Sequence, residues 1–344
     1  MFDWQKLINE HDNLQKKLSK LPLKLNSKAK SYHVNHYDVI FENHLFKLRY
    51  YCGNSQKTNQ IALCVYSLIN TVDILDFSED VSFVGSLKKN YCALYVIEWK
   101  QALDEPIFHS LENYIIQSLN LAIDIILDQD KKNQIDLFGI CQGGVFALVY
   151  TAIYPNKINR LILLMTPIDH KSLYQQALLL EFCTLASDNN KSKIISKESV
   201  KHYFASLRPL KHYLGRNVDI ALASYQKRKK LLAIDSWLNQ PMPLSISVFK
   251  EYYHKIIKEN RLTLGGLSIG SYKVSLSNIN CPIINVYAIY DQLVPLESSN
   301  NLALYIKSSY YEIRLNTGHI GIFIQKRYLN QFIKKYENIL DSFS

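Results

Sequence analysis

The sequence predicts an α/β fold in which a mostly parallel, doubly wound β-sheet is flanked by helices on both faces. Three observations support this prediction. Continuous apolar runs of strand length recur along the chain, helical patterns alternate with them, and the alternation stops in mid-chain and returns near the C-terminus. The 344 residues suffice for two domains, or for one large domain with an insertion.

Strands and helices alternate in the first half of the chain. Residues 1–30 carry no strand pattern, and we interpret them as a basic helical leader. The predicted elements that follow are an edge strand at 46–51, buried strands at 61–68 and 91–99, a helix at 111–128, a strand at 134–138, a turn at 139–144, a helix at 145–154 and a strand at 161–165. This order predicts parallel strand pairing with crossover helices.

The alternation breaks after the strand at 161–165. From 169 to 272 helical patterns rich in Tyr and Lys replace the strand runs, so we interpret residues 169–272 as a cap or lid. The core is then formed by residues 1–168 and 273–344. Its last predicted elements are a strand at 281–290, a helix near 298–307, the strand Tyr310–Leu315 and a helix from 325 to about 343.

Composition excludes several classes of protein. Hydrophobic residues make up 48% of the chain and charged residues 20%, which argues against intrinsic disorder. No run of eighteen apolar residues occurs and no secretory signal is recognised, so no transmembrane segment is predicted. The six scattered cysteines form no C-x-x-C pair, so we expect no metal site, no disulfide framework and a reducing cytoplasm. The basic run at 227–230 is interpreted as a solvated helix face, and no nucleic-acid partner is predicted.

The strongest motif is GICQGG at residues 139–144. It has the G-x-nucleophile-x-G form of a nucleophile elbow, with Cys141 where serine is more common. A predicted strand precedes it and a helix follows, so the helix N-terminus would favour a thiolate on Cys141. The backbone N–H of Gln142 would point toward a developing oxyanion. The alternative is a glycine-rich turn with an incidental cysteine.

Two further residues follow predicted strands. His319 comes just after Tyr310–Leu315 and is predicted to deprotonate the thiol. Asp291 lies at the carboxyl end of a buried strand and is predicted to orient the histidine and stabilise the imidazolium. The chain order Cys141, Asp291, His319 is the nucleophile–acid–base order of α/β-hydrolases. The alternatives are a buried, satisfied histidine and an aspartate that caps a helix or turn.

The loop after the early strand at 61–68 is expected to supply the second oxyanion donor. Ile69 and Asn70 lie in that loop and are predicted, with Gln142, to bind the oxyanion or substrate; an ordinary loop is the alternative. Glycine is scarce, at 11 of 344 residues, yet five glycines lie within three residues of Cys141 or His319. We therefore expect the backbone to need glycine at both places.

From residue 61 to the C-terminus, the sequence resembles the poly(3-hydroxyalkanoate) synthase family, and in particular the catalytic subunit of its class III, two-component members. The matching motifs are GICQGG at 139–144, LINTVDILDF at 68–77, the TPID turn at 166–169, Trp237 as the cap tryptophan, NCPIINVYA at 280–288 and GHIG at 318–321. The resemblance implies an α/β-hydrolase fold and the triad Cys141, Asp291 and His319. Departures are Gln292 for the usual His, Thr317 for Gly, and Thr71-Val72 for Arg-Pro.

The resemblance implies an acyltransferase that polymerises (R)-3-hydroxyacyl-CoA through a covalent acyl-cysteine, releases CoA and extends a polyester chain. It also implies a non-catalytic synthase subunit as partner, a cytoplasmic location and attachment to polymer granules. We further expect a homo-oligomer and no cofactor, since the CoA thioester is the substrate. Two alternatives stand beside this hypothesis. One is a cysteine-dependent thioesterase or esterase of the same fold, and the other is a non-catalytic interaction protein that derives from a synthase.

Overall fold

The computed structural model describes residues 34–54, 58–101, 109–171, 193–206 and 224–343. In these residues the strands are β1 Asp38–Glu42, β2 Phe46–Cys52, β3 Ile61–Val65, β4 Ala93–Trp99, β5 Ile135–Ile140, β6 Ile158–Leu164, β7 Ile194–Ile195, β8 Leu244–Ser245, β9 Ser268–Ile269, β10 Tyr272–Lys273, β11 Ile283–Ala288 and β12 Tyr310–Leu315. The α-helices are α1 Phe83–Leu87, α2 Leu119–Asp130, α3 Gln142–Ile153, α4 Lys197–Ser206, α5 Tyr225–Leu238, α6 Ile246–Tyr252, α7 Arg261–Leu264, α8 Leu296–Ser299, α9 Gly321–Ile324 and α10 Lys326–Asp341.

One eight-stranded sheet organises the molecule, with the strand order β1-β2-β4-β3-β5-β6-β11-β12. The β1–β2 and β2–β4 pairs are antiparallel, and the remaining pairs are parallel. Every residue of β3 and of β5 is buried, because both strands are covered on both faces. The prediction of a mostly parallel α/β sheet is confirmed.

Apolar clusters lie on the two faces of the sheet. Leu63 and Val65 of β3 belong to one cluster, whereas Ala62 and Cys64 belong to the other, as expected for side chains that alternate along a strand. The first cluster includes the buried side chains of α3, and the second includes those of α10. Helices therefore cover both faces, which is the doubly wound arrangement.

Several predicted elements differ from the structure in detail. The segment at 46–51 is not the edge strand, because the half-exposed strand β1 pairs outside it. The helix predicted at 145–154 begins earlier, at Gln142, since Cys141 is its N-cap. The helix predicted near 298–307 is split into α8 and a 3₁₀ segment, Asn300–Leu304. The predicted leader at 1–30 lies outside the described residues.

The chain leaves the sheet after β6 and returns at β11. The described part of this excursion contains α4 to α7 and the two short antiparallel pairs β7–β8 and β10–β9. Near its start, Asp169 Oδ1 accepts a hydrogen bond from Asn260 Nδ2 at 2.9 Å, and the His170 N–H donates to Asn260 Oδ1 at 3.2 Å. The division into a core and a cap at 169–272 stays a prediction. Among the described helices, none combines the length and apolarity needed to cross a membrane.

Candidate active site

Cys141 occupies the sharp turn between β5 and α3. Its backbone has φ 54° and ψ −123°, a conformation that costs energy for any residue with a side chain. The turn is held by two hydrogen bonds, from Cys141 N–H to Leu164 O at 2.9 Å and from Gly144 N–H to Cys141 O at 3.0 Å. The half-buried sulfur therefore sits at the N-terminus of α3, where the helix dipole stabilises negative charge.

The glycines around Cys141 permit close contacts between neighbouring elements. A Cβ at Gly144 would overlap the Thr166 side chain, and one at Gly143 would overlap the backbone carbonyl oxygen of Val65. These positions bring α3 against the ends of β3 and β6. The expectation that the backbone needs glycine at the elbow is confirmed.

Of the two glycines near His319, only Gly321 meets the expectation that the backbone needs glycine there. A Cβ at Gly321 would overlap the Thr317 side chain, so Gly321 is required by space. A Cβ at Gly318 would find its nearest neighbour, Tyr290 O, at 3.6 Å, which is an ordinary contact. The backbone at Gly318 therefore accommodates a larger residue.

Asp291 and His319 form a hydrogen-bonded pair just beyond the ends of β11 and β12. The distance between His319 Nδ1 and Asp291 Oδ2 is 2.7 Å, and the Asp291 side chain is 1% exposed. The other carboxylate oxygen, Oδ1, accepts the backbone N–H groups of Leu293 and Val294, both at 2.9 Å. Three donors therefore fix this carboxylate, and its Oδ2 orients the imidazole ring.

Cys141 lies close enough to His319 to change the pKa of the imidazole ring. Burial works to lower the pKa of His319, but the negative charges of Asp291 and Cys141 outweigh it and raise that pKa to about 10. Hydrogen bonds to the same two side chains add to the increase. The structure thus brings together the three side chains that the sequence predicts as a triad. Their catalytic roles stay predictions.

The loop after β3 lies against the elbow. The Leu68 N–H donates to Gln142 Oε1 at 3.1 Å, and the Ile69 N–H donates to Ser67 Oγ at 3.1 Å. Asn70 Oδ1 is buried and has no hydrogen-bond partner among the described residues. Gln142 is therefore close to this loop, and the oxyanion roles of Gln142, Ile69 and Asn70 stay predictions.

Two tyrosines near Cys141 were not predicted from the sequence. Burial raises the pKa values of Tyr66 and Tyr252, and the negative charge of Cys141 raises both further. Both hydroxyls therefore stay protonated near the sulfur and can donate hydrogen bonds. No motif marks either residue in a chain with 24 tyrosines, and Tyr252 comes from the segment interpreted as the cap.

Residues of the same segment also contact the loop after β3. The Met242 N–H donates to Ile69 O at 2.7 Å, and Trp237 Nε1 donates to Thr71 O at 3.1 Å. Next to these contacts lies a cavity of about 200 Å³, whose lining includes Asn70, Thr71, Glu98, Lys100 and Met242. Within the described residues, no group of three or more His, Cys, Asp or Glu side chains is arranged to hold a metal ion.

Comparisons with known proteins agree with this architecture. The family model for the alpha/beta hydrolase fold matches residues 35–325. Two structural relatives are a hydrolase from Pseudomonas aeruginosa (TM-score 0.56, 14% identity, 90% of this chain and 99% of that one) and a monoacylglycerol lipase from Paleococcus ferrophilus (TM-score 0.55, 13% identity, 87% and 99%). At these identities the similarity concerns the fold alone.

Curated relatives share a narrower name. Proteins called poly(3-hydroxyalkanoate) polymerase subunit PhaC are 27% identical in Thiocystis violacea and 28% identical in Allochromatium vinosum, each over 271 residues, 76% of this chain and 75% of the relative. The protein of that name from a Synechocystis species is 28% identical over 276 residues, 76% of this chain and 72% of the relative. These relatives confirm the family resemblance indicated by the sequence motifs.

Proposed function

Because the chain belongs to the alpha/beta hydrolase fold family, we propose that it is an acyltransferase that polymerises 3-hydroxyacyl groups from their CoA thioesters. One observation carries this proposal: Cys141 stands on the elbow beside His319, whose Nδ1 lies 2.7 Å from Asp291 Oδ2. Such an arrangement supports nucleophilic acyl transfer. The substrate class is inferred from the three relatives, each of which is called a poly(3-hydroxyalkanoate) polymerase subunit.

In the first step, His319 holds the proton of the Cys141 thiol, in keeping with its raised pKa, and the thiolate sulfur attacks the thioester carbonyl carbon of a 3-hydroxyacyl-CoA. The carbonyl oxygen becomes an oxyanion, which backbone N–H groups near the elbow stabilise. When the intermediate collapses, the bond from carbon to the CoA sulfur breaks and His319 returns the proton to that sulfur. The products are acyl-Cys141 and free CoA.

In the second step, the 3-hydroxyl of another 3-hydroxyacyl-CoA attacks the acyl-Cys141 carbonyl. His319 takes the hydroxyl proton, an ester bond forms, and the Cys141 thiolate leaves. The extended chain now ends in a CoA thioester, so it can acylate Cys141 again and release CoA. A thiol nucleophile suits this cycle, because exchange between two thioesters keeps the acyl group activated.

Water competes with the hydroxyl in this cycle. If water attacked acyl-Cys141, the same site would act as a thioesterase, the alternative function. Trp237, Met242 and Tyr252 come from the segment interpreted as a cap, and they lie over the loop and near the sulfur. This covering supports a site that limits the access of water.

We also propose that the chain works with a second, non-catalytic subunit on cytoplasmic polymer granules. The word "subunit" in the names of the three relatives supports the second subunit, and the granule location is inferred from the polyester product that the names imply. A partner that adds no catalytic group is expected to change the rate but not the identity of the nucleophile.

The test uses the purified protein and 3-hydroxybutyryl-CoA, with and without a candidate partner subunit. We expect CoA release together with insoluble polyester, and neither product from Cys141→Ala. Cys52→Ala is the matched control, because Cys52 is an exposed cysteine at the end of β2, away from the elbow. Release of CoA with free 3-hydroxybutyrate would establish the thioesterase instead. No CoA release and no thiol labelling at Cys141 would favour the non-catalytic alternative.

A further inference from the structure

The Gln142 side chain extends from the elbow to the loop after β3. Its Oε1 accepts hydrogen bonds from the Leu68 backbone N–H at 3.1 Å and from the Ser67 hydroxyl at 3.4 Å. A backbone N–H can only donate, so the carbonyl end of the amide must face the loop. Two donors therefore converge on one neutral carbonyl oxygen.

The two donors are held in place by their surroundings. Ser67 and Leu68 are 5% and 7% exposed. Ser67 Oγ accepts the Ile69 N–H at 3.1 Å, and Ile69 O in turn accepts the Met242 N–H at 2.7 Å. A loop fixed from both sides presents its donors without reorganisation, which is the property that stabilises a developing oxyanion.

The side chain that binds these donors belongs to the residue next to the nucleophile. Gln142 directly follows Cys141 and is the first residue of α3, a position where the backbone N–H has no partner within the helix. Leu68 and Gln142 also line a common cleft with Tyr114 and Met242. The Gln142 side chain is only half-buried, so it can turn into this cleft while its backbone stays in the helix.

We propose that the Leu68 N–H and the Ser67 hydroxyl form the second half of the oxyanion hole, and that the Gln142 amide oxygen occupies it until a thioester carbonyl takes its place. This inference rests on the proposed acyl transfer at Cys141. It assigns the second donor to Leu68 rather than to Asn70 because the Leu68 N–H is the one that bonds the Gln142 amide, and rather than to Ile69 because the Ile69 N–H is used within the loop.

The exchange has a direct energetic consequence. Hydrogen bonds to a charged oxygen are stronger than those to a neutral amide oxygen. The Gln142 amide therefore competes with the neutral thioester carbonyl and yields to the oxyanion as charge develops. The Leu68 and Ser67 donors therefore stabilise the oxyanion of the transition state more than the carbonyl of the bound substrate. If the Gln142 amide only positioned the loop, its removal would instead slow the reaction.

Three substitutions at Gln142 separate these roles, with the rate of the first CoA release as kcat/KM. Gln142→Ala and Gln142→Met remove the acceptor, and we expect kcat/KM to rise about twofold to tenfold. Gln142→Glu places a carboxylate on both donors, and we expect kcat/KM to fall more than about 100-fold at pH 8. Its rate relative to wild type should then rise about tenfold for each pH unit lowered between 8 and 6, because the protonated fraction rises in that proportion.

Gln117→Glu is the matched control for the added charge. Gln117 is exposed, and its Oε1 accepts a hydrogen bond from Asn113 Nδ2 at 3.0 Å, so the substitution keeps an acceptor far from the elbow. We expect no pH-dependent change from it. The inference is overturned if Gln142→Ala and Gln142→Met are slower than wild type, or if Gln142→Glu keeps the wild-type rate at pH 8.

A second substrate keeps this inference distinct from the proposed function. p-Nitrophenyl acetate acylates a reactive cysteine through an oxyanion without any CoA group, and the burst of p-nitrophenol reports that step. If the wild-type protein releases no CoA, the proposed function fails. The rate of the p-nitrophenol burst can still be compared among the variants. A faster burst in Gln142→Ala and Gln142→Met than in wild type, with a slower one in Gln142→Glu, would support the role of Gln142, and the reverse order would refute it.

Discussion

Replacing Asp291 by asparagine tests the acid of the proposed triad with little change in shape. The Leu293 and Val294 N–H groups donate to Asp291 Oδ1 at 2.9 Å, so they would hold the amide oxygen of an asparagine on that side. The amide NH₂ group would then face His319 Nδ1, 2.7 Å from the present carboxylate oxygen. Since NH₂ only donates, Nδ1 would have to accept, and the ring would carry its proton on Nε2. A ring in that tautomer cannot take a proton from the Cys141 thiol.

The expected loss follows from this geometry. Burial alone would lower the pKa of His319, and the Asp291 carboxylate is the first of the charges that raise it to about 10. Without the carboxylate, the imidazolium loses its main stabilisation as well as its tautomer. Losing the orienting carboxylate of a triad lowers kcat by a factor on the order of 10⁴. We expect a loss of that order in Asp291→Asn, with the fold intact.

The measurement is the rate of CoA release in a single turnover, with circular dichroism to check folding. Asp76→Asn is the matched control, because Asp76 is also a buried aspartate and accepts hydrogen bonds from the Asn35 N–H at 2.8 Å and the Ser82 hydroxyl at 2.6 Å. Asp76 contacts no predicted site residue in these bonds, so its variant should keep the wild-type rate. A rate for Asp291→Asn within tenfold of wild type would refute the assignment of the acid.

Three further predictions concern stability, each measured by urea unfolding. Cys141→Gly should abolish CoA release yet raise the free energy of unfolding by about 1 kcal/mol, because glycine adopts φ 54° without strain. Gly144→Ala should lower it by about 1–3 kcal/mol, since the added methyl overlaps Thr166. Burial lowers the pKa of His170 to about 4, against the opposing charge of Asp169. The unfolded chain, with its usual histidine pKa near 6.5, therefore binds the proton first, and wild type should lose about 3 kcal/mol between pH 7 and pH 4 that His170→Asn does not lose. Equal pH dependence in both proteins would contradict this.

The parts of the fold that could be predicted are those encoded by local patterns. β3 and β5 are buried on both faces, so each is an uninterrupted apolar run that predicts a strand. The sequence does not predict β1, because its DVIFE segment is half exposed and gives no such run. The sequence therefore predicts β2 as the edge strand, since no pattern within β2 shows that another strand pairs outside it.

The candidate site likewise contains parts that local sequence patterns predict and parts that they do not. The elbow motif around Cys141 and the strand ends before Asp291 and His319 are local signals, and their chain order links them. The contact between Leu68 and Gln142 joins residues 74 apart, and that between Trp237 and Thr71 joins residues 166 apart. Such pairs depend on how the loop after β3 packs, and no pattern in either segment predicts it.

The sequence departs from the family pattern at Thr71-Val72, which lines the cavity next to the site. Thr71 has φ −70° and ψ 152°, the extended conformation that a residue before proline adopts, and Val72 opens the segment Val72–Asp76, a position that favours proline. The backbone conformation at Thr71-Val72 is therefore also compatible with the Arg-Pro pair of the family pattern. The contact to Trp237 uses the Thr71 carbonyl oxygen, which either residue supplies. The two pairs differ in their side chains: here the Thr71 hydroxyl donates to Asp73 Oδ2 at 2.8 Å beside the cavity, at the position where the family pattern has an arginine.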